Sequence, residues 1–223
     1  MRINADFDSR VVVRFDDTPW IPSPMPGVER KMLDRIGEEV ARATSLVRYA
    51  PGSAFSAHTH DGGEEYLVIE GTFCDEHGAF PTGHYVRNPP TSAHTPSAPN
   101  GAIILVKLHQ FDPADRDHVV VDTMASVENH LPLYADSHED VRIERLSPGA
   151  TLPMDTRGGA EVFVIAGSVT EEDDTLTRWD WLRLPVGGPT TLTAGDEGGE
   201  LWIKSGHLRK IRTGTLDAEV APT

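Results

Sequence analysis

Cysteine is nearly missing from this chain: Cys74 is the single one in 223 residues. An intrachain disulfide and a Cys-rich zinc site of the finger type are thereby excluded. Basic residues are also scarce. Twenty Lys and Arg stand against 35 Asp and Glu, a formal net charge of -15, which repels phosphate backbones and anionic headgroups. Neither direct nucleic-acid binding nor membrane association is expected. Long apolar runs are lacking too: Ala102–Val106 is among the longest, far short of the roughly 20 residues that cross a bilayer. The opening MRINADFDSR lacks the apolar core of a signal peptide, so the expected location is cytoplasmic. What the chain does have is 20 Gly, 17 Pro and 10 His.

The Gly and Pro residues punctuate short apolar segments, the pattern of many short strands joined by turns. Val11–Phe15, Ala43–Tyr49, Glu65–Ile69, Ala102–Leu108, Val119–Val121, Val141–Leu146, Glu161–Ile165 and Leu201–Lys204 read as strands, which makes the chain all-β. Met32, Leu33, Ile36 and Val40 fall at helical spacing. A hairpin is still expected over Arg30–Ala41, because the later stretch LPLYADSHEDVRIERL reads as strand, polar turn, strand.

That comparison rests on an internal repeat. Arg48–Thr72 lies over Arg145–Ser168 with an offset of 97 that falls to 96 after one deletion. Gly52 falls on Gly149, Glu64 on Glu161, Gly71 on Gly167, Arg87 on Arg183, and Lys107 on Lys204. Two related all-β domains are expected, 1–114 and 115–223, joined near FDPADRD.

The first repeat carries the chemistry. His58 and His60 are two apart on an extended segment, so both imidazoles project from one face. Asp61-Gly62-Gly63 is a turn that brings Glu64 back beside them, and His94 follows in a second cluster that begins at Gly83. Three neutral imidazoles and a carboxylate form an N3O set for one divalent transition metal, with one or two positions left open. Zinc is favoured, iron(II) is next, and manganese and nickel are compatible. Tyr66 and Val68 share the Glu64 face and Phe55 precedes the His pair, so these three are substrate-pocket candidates.

Gly-x5-His-x-His-x3-Glu-x6-Gly, complete from Gly52 to Gly71, resembles the first motif of the cupin superfamily. The second cupin motif is matched at Gly83, Pro89 and His94, while Thr91 and Ala98 replace its middle Gly and final Asn. The resemblance implies a double-stranded β-helix, the cupin jelly roll, here duplicated as a bicupin. HTHDGGEEYLVIEGTFCDEHGAFPTGHYVRNPPTSAH is more specifically similar to the cupin module of ChrR anti-sigma factors, which regulate transcription in response to singlet oxygen and peroxides. That resemblance implies zinc on His58, His60, Glu64 and His94. The helical anti-sigma domain that precedes the ChrR cupin is not seen here, so contact with a sigma factor of the ChrR type is not expected.

Two functions stay open at this stage. One is a metal-binding sensory or regulatory protein of the oxidative-stress response; the other is an enzyme, a non-haem metal-dependent dioxygenase or oxidoreductase acting on a small dicarbonyl or phenolic substrate. A small molecule or oxidant is the expected partner, with a homodimer through the cupin sheets. In the second repeat, Asp155, Arg157, Glu161 and Thr190 occupy the ligand positions, and an Arg157–Glu161 ion pair is expected instead of a metal. Glu65 is expected to face away from the site and meet a basic residue. Arg87 and Lys107 read as structural because the second repeat keeps them. Cys74 reads as a half-buried strand residue. The acidic run Glu171–Asp174 reads as a solvated turn, and His77, His84, His118, His130, His138 and His207 as solvated.

Overall fold

The computed structural model describes residues 1–212. Among these, every regular element is a strand except two single-turn 3-10 helices, Thr123–Ala125 and His207–Arg209. The stretch with helical spacing is half of a hairpin, in which Val28–Gly37 runs antiparallel to Ala41–Tyr49. A bulge between Met32 and Asp34 interrupts the two-residue alternation there, which is how a strand comes to carry apolar residues at helix-like intervals.

The chain forms two units. The first comprises residues 1–5 and 19–124 with Arg212, and the second comprises Asp6–Thr18 and Ala125–Ile211. In the first unit the main sheet runs in the order Arg2–Ile3, Val28–Gly37, Ala41–Tyr49, Ala102–Leu108, Glu64–Asp75, His84–Asn88, Val119–Asp122. The second unit repeats that order with His130–Ala135, Asp140–Leu146, Thr190–Ser205, Ala160–Glu171, Trp181–Leu184 and Val11–Val13.

These units depart from the expected 1–114 and 115–223. Residues 6–18 belong to the second unit and residues 115–124 to the first. The reason is a pair of matching edge strands. Val11, Val12 and Val13 pair with Arg183, Leu182 and Trp181, and Val119, Val120 and Val121 pair with the equivalent Arg87, Val86 and Tyr85. An apolar triplet gains most by satisfying its backbone on a sheet edge, and Val11–Val13 does so on the unit that its neighbouring sequence does not build, whereas Val119–Val121 continues the first unit. The two ends of the acidic run are part of this arrangement, so the solvated-turn reading holds for Glu172 and Asp173 and is corrected for Glu171 and Asp174. Arg10 donates to Glu171, itself 1% exposed, at 2.8 and 3.0 Å, and to Asp174 at 2.8 Å. Arg14 adds an ion pair to Asp174 and another to Asp180.

Each unit has its own apolar interior, built around Tyr66, Val68, Phe73, Val86, Ile104 and Val106 in the first. Met154, Val162, Val164, Leu182, Leu201 and Ile203 form its counterpart in the second. The opposite sheet face is charged and equally buried. Glu65 accepts from the Tyr85 hydroxyl at 2.7 Å, lies 3.9 Å from Arg87, and sits opposite Lys107, as expected of a residue turned away from the site. In the second unit Glu161 pairs across to Arg183 and Lys204, and accepts from the Trp181 indole at 3.2 Å. Lys107 and Lys204 are 1% and 0% exposed, so both are structural. Lys107 donates to the Thr44 hydroxyl, and Lys204 meets Glu139 at 2.9 Å.

The matched register also corrects the alignment of the repeats. Glu161 pairs with Arg183 as Glu65 pairs with Arg87, so Glu161 corresponds to Glu65, and Ala160 stands where Glu64 does. His207 is not solvated: its side chain is 6% exposed and its Nε2 lies 2.9 Å from Glu161. The expected Arg157–Glu161 pair does not form. Arg157 instead folds back on Asp155 at 2.6 Å, with both side chains exposed.

Candidate metal centre

The site is assembled by one short strand pair and the start of a long strand. His58–His60 runs antiparallel to Ser92–His94, with His58 opposite His94 and His60 opposite Ser92. Directly opposed residues share a sheet face, so three histidines converge, and Thr91, at φ 75, makes the turn into Ser92–His94 in a conformation that favours glycine. Gly63, at φ 76, closes the turn into Glu64, and a Cβ there would lie 2.4 Å from the Phe111 ring. Gly71, at φ 77, ends the motif where a Cβ would meet the Gly101 carbonyl at 2.2 Å. Gly63 and Gly71 are thus required by backbone conformation and by close approach.

One potential ligand atom from each of His58, His60 and His94 falls within a 4.8 Å cluster, the one such group among the described residues. The rings pack nearly edge to face, with centroids 4.8 to 4.9 Å apart. Nε2 of His60 lies 3.0 Å from Nε2 of His94. Glu64 flanks two of the three, with its carboxylate 3.4 Å from Nε2 of His60 and 3.8 Å from Nε2 of His94. It stands outside the 4.8 Å set that includes His58. His60, Glu64 and His94 are buried, while His58 is exposed at the rim.

The outer sides of the rings are also held. Nδ1 of His94 lies 3.2 Å from the Asp75 carboxylate, and Nδ1 of His58 lies 3.2 Å from the Ser56 carbonyl. An acceptor at Nδ1 fixes the proton there and leaves the Nε2 lone pair directed inward. Asn88 donates to Glu64 at 3.1 Å. Sequence reasoning missed Asp75 and Asn88. Burial pushes His60 down to about 4, helped by the neighbouring His58, and burial also lowers His94. Both imidazoles are therefore neutral at pH 7. Burial raises Glu64 above the usual carboxylate range, against the pull of His94 and the Asn88 hydrogen bond.

Two imidazole nitrogens 3.0 Å apart beside a buried carboxylate form a donor set suited to a cation. The residues fit a divalent metal, since a first-row ion sits about 2.0–2.1 Å from each imidazole nitrogen. His58, His60 and His94 would hold it, with Glu64 adjacent, and its chemistry there would be that of a Lewis acid and template. Of the pocket candidates, Tyr66 and Val68 are each 1% exposed within the interior, on the Glu64 side. Phe55 packs on Tyr49 at 5.4 Å between ring centroids.

The second unit has none of this chemistry. Met154 pairs with Thr190 as His58 pairs with His94. Thr156 and Ala160 complete the equivalent set, and Met154, Ala160 and Leu184 belong to the apolar core.

Residues 8–112 match the ChrR cupin-like domain family. No curated protein sequence matches the chain. Among solved structures, a candidate dioxygenase from Nostoc punctiforme is similar at a TM-score of 0.73 and 14% identity, over 92% of this chain and 86% of that one. The bacterial pirin YhhW from Escherichia coli, solved with nickel(II), is similar at a TM-score of 0.69 and 12% identity, over 89% and 99%. A variant of Bacillus subtilis oxalate decarboxylase is similar at 0.60 and 15%, over 87% and 76%. Among the described residues, no helix is long and apolar enough to cross a membrane. The chain has the cupin fold, and its first half is similar to the ChrR cupin-like domain.

Proposed function

We propose that this protein is a bicupin with one divalent metal per chain, held by His58, His60, Glu64 and His94, and that this centre serves as a ChrR-like sensor in the oxidative-stress response. The observation that carries the metal is the convergence of three histidines within 4.8 Å, two of them buried and neutral. The similarity of residues 8–112 to the ChrR cupin-like domain supports the regulatory role. Zinc suits such a site, being redox-silent and content with nitrogen and oxygen ligands. The second unit acts as a structural partner, its ligand positions occupied by Met154, Thr156, Ala160 and Thr190.

The likeness to a candidate dioxygenase favours a second reading, a metal-dependent oxygenase of a small dicarbonyl or phenolic substrate. Metal analysis of protein purified without added metal, followed by oxygen uptake after iron loading, separates the two. Stoichiometric zinc without turnover supports the sensor. Iron with substrate-dependent oxygen consumption supports the enzyme, and absence of any bound metal overturns both.

A further inference from the structure

Arg30 and Arg35 are five residues apart on the strand Val28–Gly37, a spacing that regular alternation sends to opposite faces. The bulge between Met32 and Asp34 undoes that. Arg30 stands opposite Val47, Met32 opposite Ser45 and Arg35 opposite Ala43, three partners at two-residue steps along the neighbouring strand. Arg30, Met32 and Arg35 therefore share one sheet face. They line a cleft of about 400 Å³ whose walls include Ile21, Pro22 and Pro24. Ile21 pairs with Arg30 and is 44% exposed.

These two cations are poorly compensated. Arg35 is 3% exposed and donates to the backbone carbonyl of Glu38, a dipole and not a charge. Burial pushes the Arg35 guanidinium down and Arg30 pushes it further, yet a guanidinium keeps its proton in a protein. Nε of Arg30 is buried without a hydrogen-bond partner. The carboxylates that act on the pair, Glu38 and Glu39, are both exposed. Glu38 is drawn to the terminal ammonium of Met1, and Glu39 stops 3.7 Å from Arg30, beyond hydrogen-bond reach. Asp34, the buried acid of the same strand, lies on the other face and is held by Arg42 and Thr44. Charges withdrawn from water are normally paired. We propose that this cleft binds a small organic carboxylate, its oxygens held by the guanidinium forks of Arg30 and Arg35 and its hydrocarbon body by Ile21, Pro22, Pro24 and Met32. Planar forks match a carboxylate. Phosphate satisfies the arginines and leaves the apolar walls unused, and a neutral apolar molecule leaves the cations unpaired. The cleft shares no residue with the histidine cluster, so the inference stands apart from the metal-centre reading.

The test is calorimetric titration of the whole chain with sodium octanoate, octanol and inorganic phosphate. Octanoate is expected to bind once per chain, and octanol and phosphate each about ten-fold or more weakly. Arg30→Gln weakens octanoate binding about ten-fold or more, because a charge-assisted contact is lost. Glu39→Gln tightens it about two-fold or more, because a competing carboxylate is gone. Glu39 is an exposed turn residue, so this variant folds and decides the matter even where Arg30→Gln does not. His60→Ala leaves octanoate binding unchanged. Absence of octanoate binding, equal affinity in Arg30→Gln, or unchanged or weaker binding in Glu39→Gln overturns the proposal. Equal affinity for phosphate or for octanol overturns the ligand class. Loss of binding in His60→Ala places the carboxylate at the histidine cluster instead and overturns the site.

Discussion

The carboxylate of Asp75 lies 3.2 Å from Nδ1 of His94, on the far side of the ring from the Nε2 that faces His60. A carboxylate in that position sets the tautomer, aims the ring and strengthens the ligand. Asp75→Asn is therefore expected to weaken metal affinity by roughly 10- to 100-fold while the chain stays folded. Competition against a chromophoric chelator measures it. Unchanged affinity would show that His94 is oriented by its packing against Phe73 alone.

Asp75 also shows where the sequence stops being readable. It is an odd number of residues beyond Glu64 on one strand, so simple alternation places the two side chains on opposite faces. The register shift between Ile103 and Ile104 on the neighbouring strand marks a bulge that resets the alternation, and Asp75 turns back toward the site. The convergence of these side chains was legible because His58, His60 and Glu64 sit on either side of one tight turn, where local spacing decides geometry. The repeat was legible too, but not to the residue. With Glu64 and Glu65 adjacent and one deletion nearby, only strand pairing reveals that Glu161 matches Glu65. The N-terminal arm was unreadable for a different reason: a Val triplet announces a strand and not the sheet edge it will join.

Protonation of the histidines in the metal-free protein fixes a pH dependence. His60 has its folded value near 4, below the unfolded value near 6.5. Between those values the unfolded chain binds the proton and the native chain does not, so stability falls as pH drops from about 6.5 to about 4 and then levels. His94 acts in the same direction. Glu64 acts in the opposite one, because its raised value costs stability as pH rises above the unfolded carboxylate value. Urea unfolding of metal-free protein across this range is expected to show the histidine slope, and His60→Ala to flatten part of it. An identical slope in that variant would contradict the assignment. Because His60 stays neutral to about 4, metal should be retained below the pH at which an ordinary histidine would release it.

Removing one ligand should separate the two units. In His60→Ala, metal content is expected to fall close to zero, since a buried ligand is lost from the set. The interior of the second unit, with Met154, Ala160 and Leu184 at the equivalent mouth, needs no metal. Its tryptophans, Trp179, Trp181 and Trp202, are buried and report its packing by fluorescence. Their spectrum should not change in the variant. A shift toward exposed emission would mean that the second unit depends on the metal of the first.

The exchanged arm predicts where the second unit is weakest. Glu171 is 1% exposed and receives Arg10 through two nitrogens, with Thr190 donating to its other oxygen at 2.7 Å. Deleting one member of a buried ion pair leaves the other charge without compensation, at a cost of about 3–5 kcal/mol. Arg10 is partly solvated, with its side chain 28% exposed, so Arg10→Ala is expected near or below the lower end of that range. Glu171→Gln removes the charge that must be compensated while keeping the acceptor for Thr190, and should cost less than Arg10→Ala. The double variant Arg10→Ala with Glu171→Gln should be more stable than Arg10→Ala alone, because the stranded carboxylate is gone. Chemical denaturation of the three variants measures the ordering. If Arg10→Ala proves neutral, the arm is held by its Val11–Val13 backbone pairing and not by its arginines, and the acidic run returns to being a turn that happens to lie beside them.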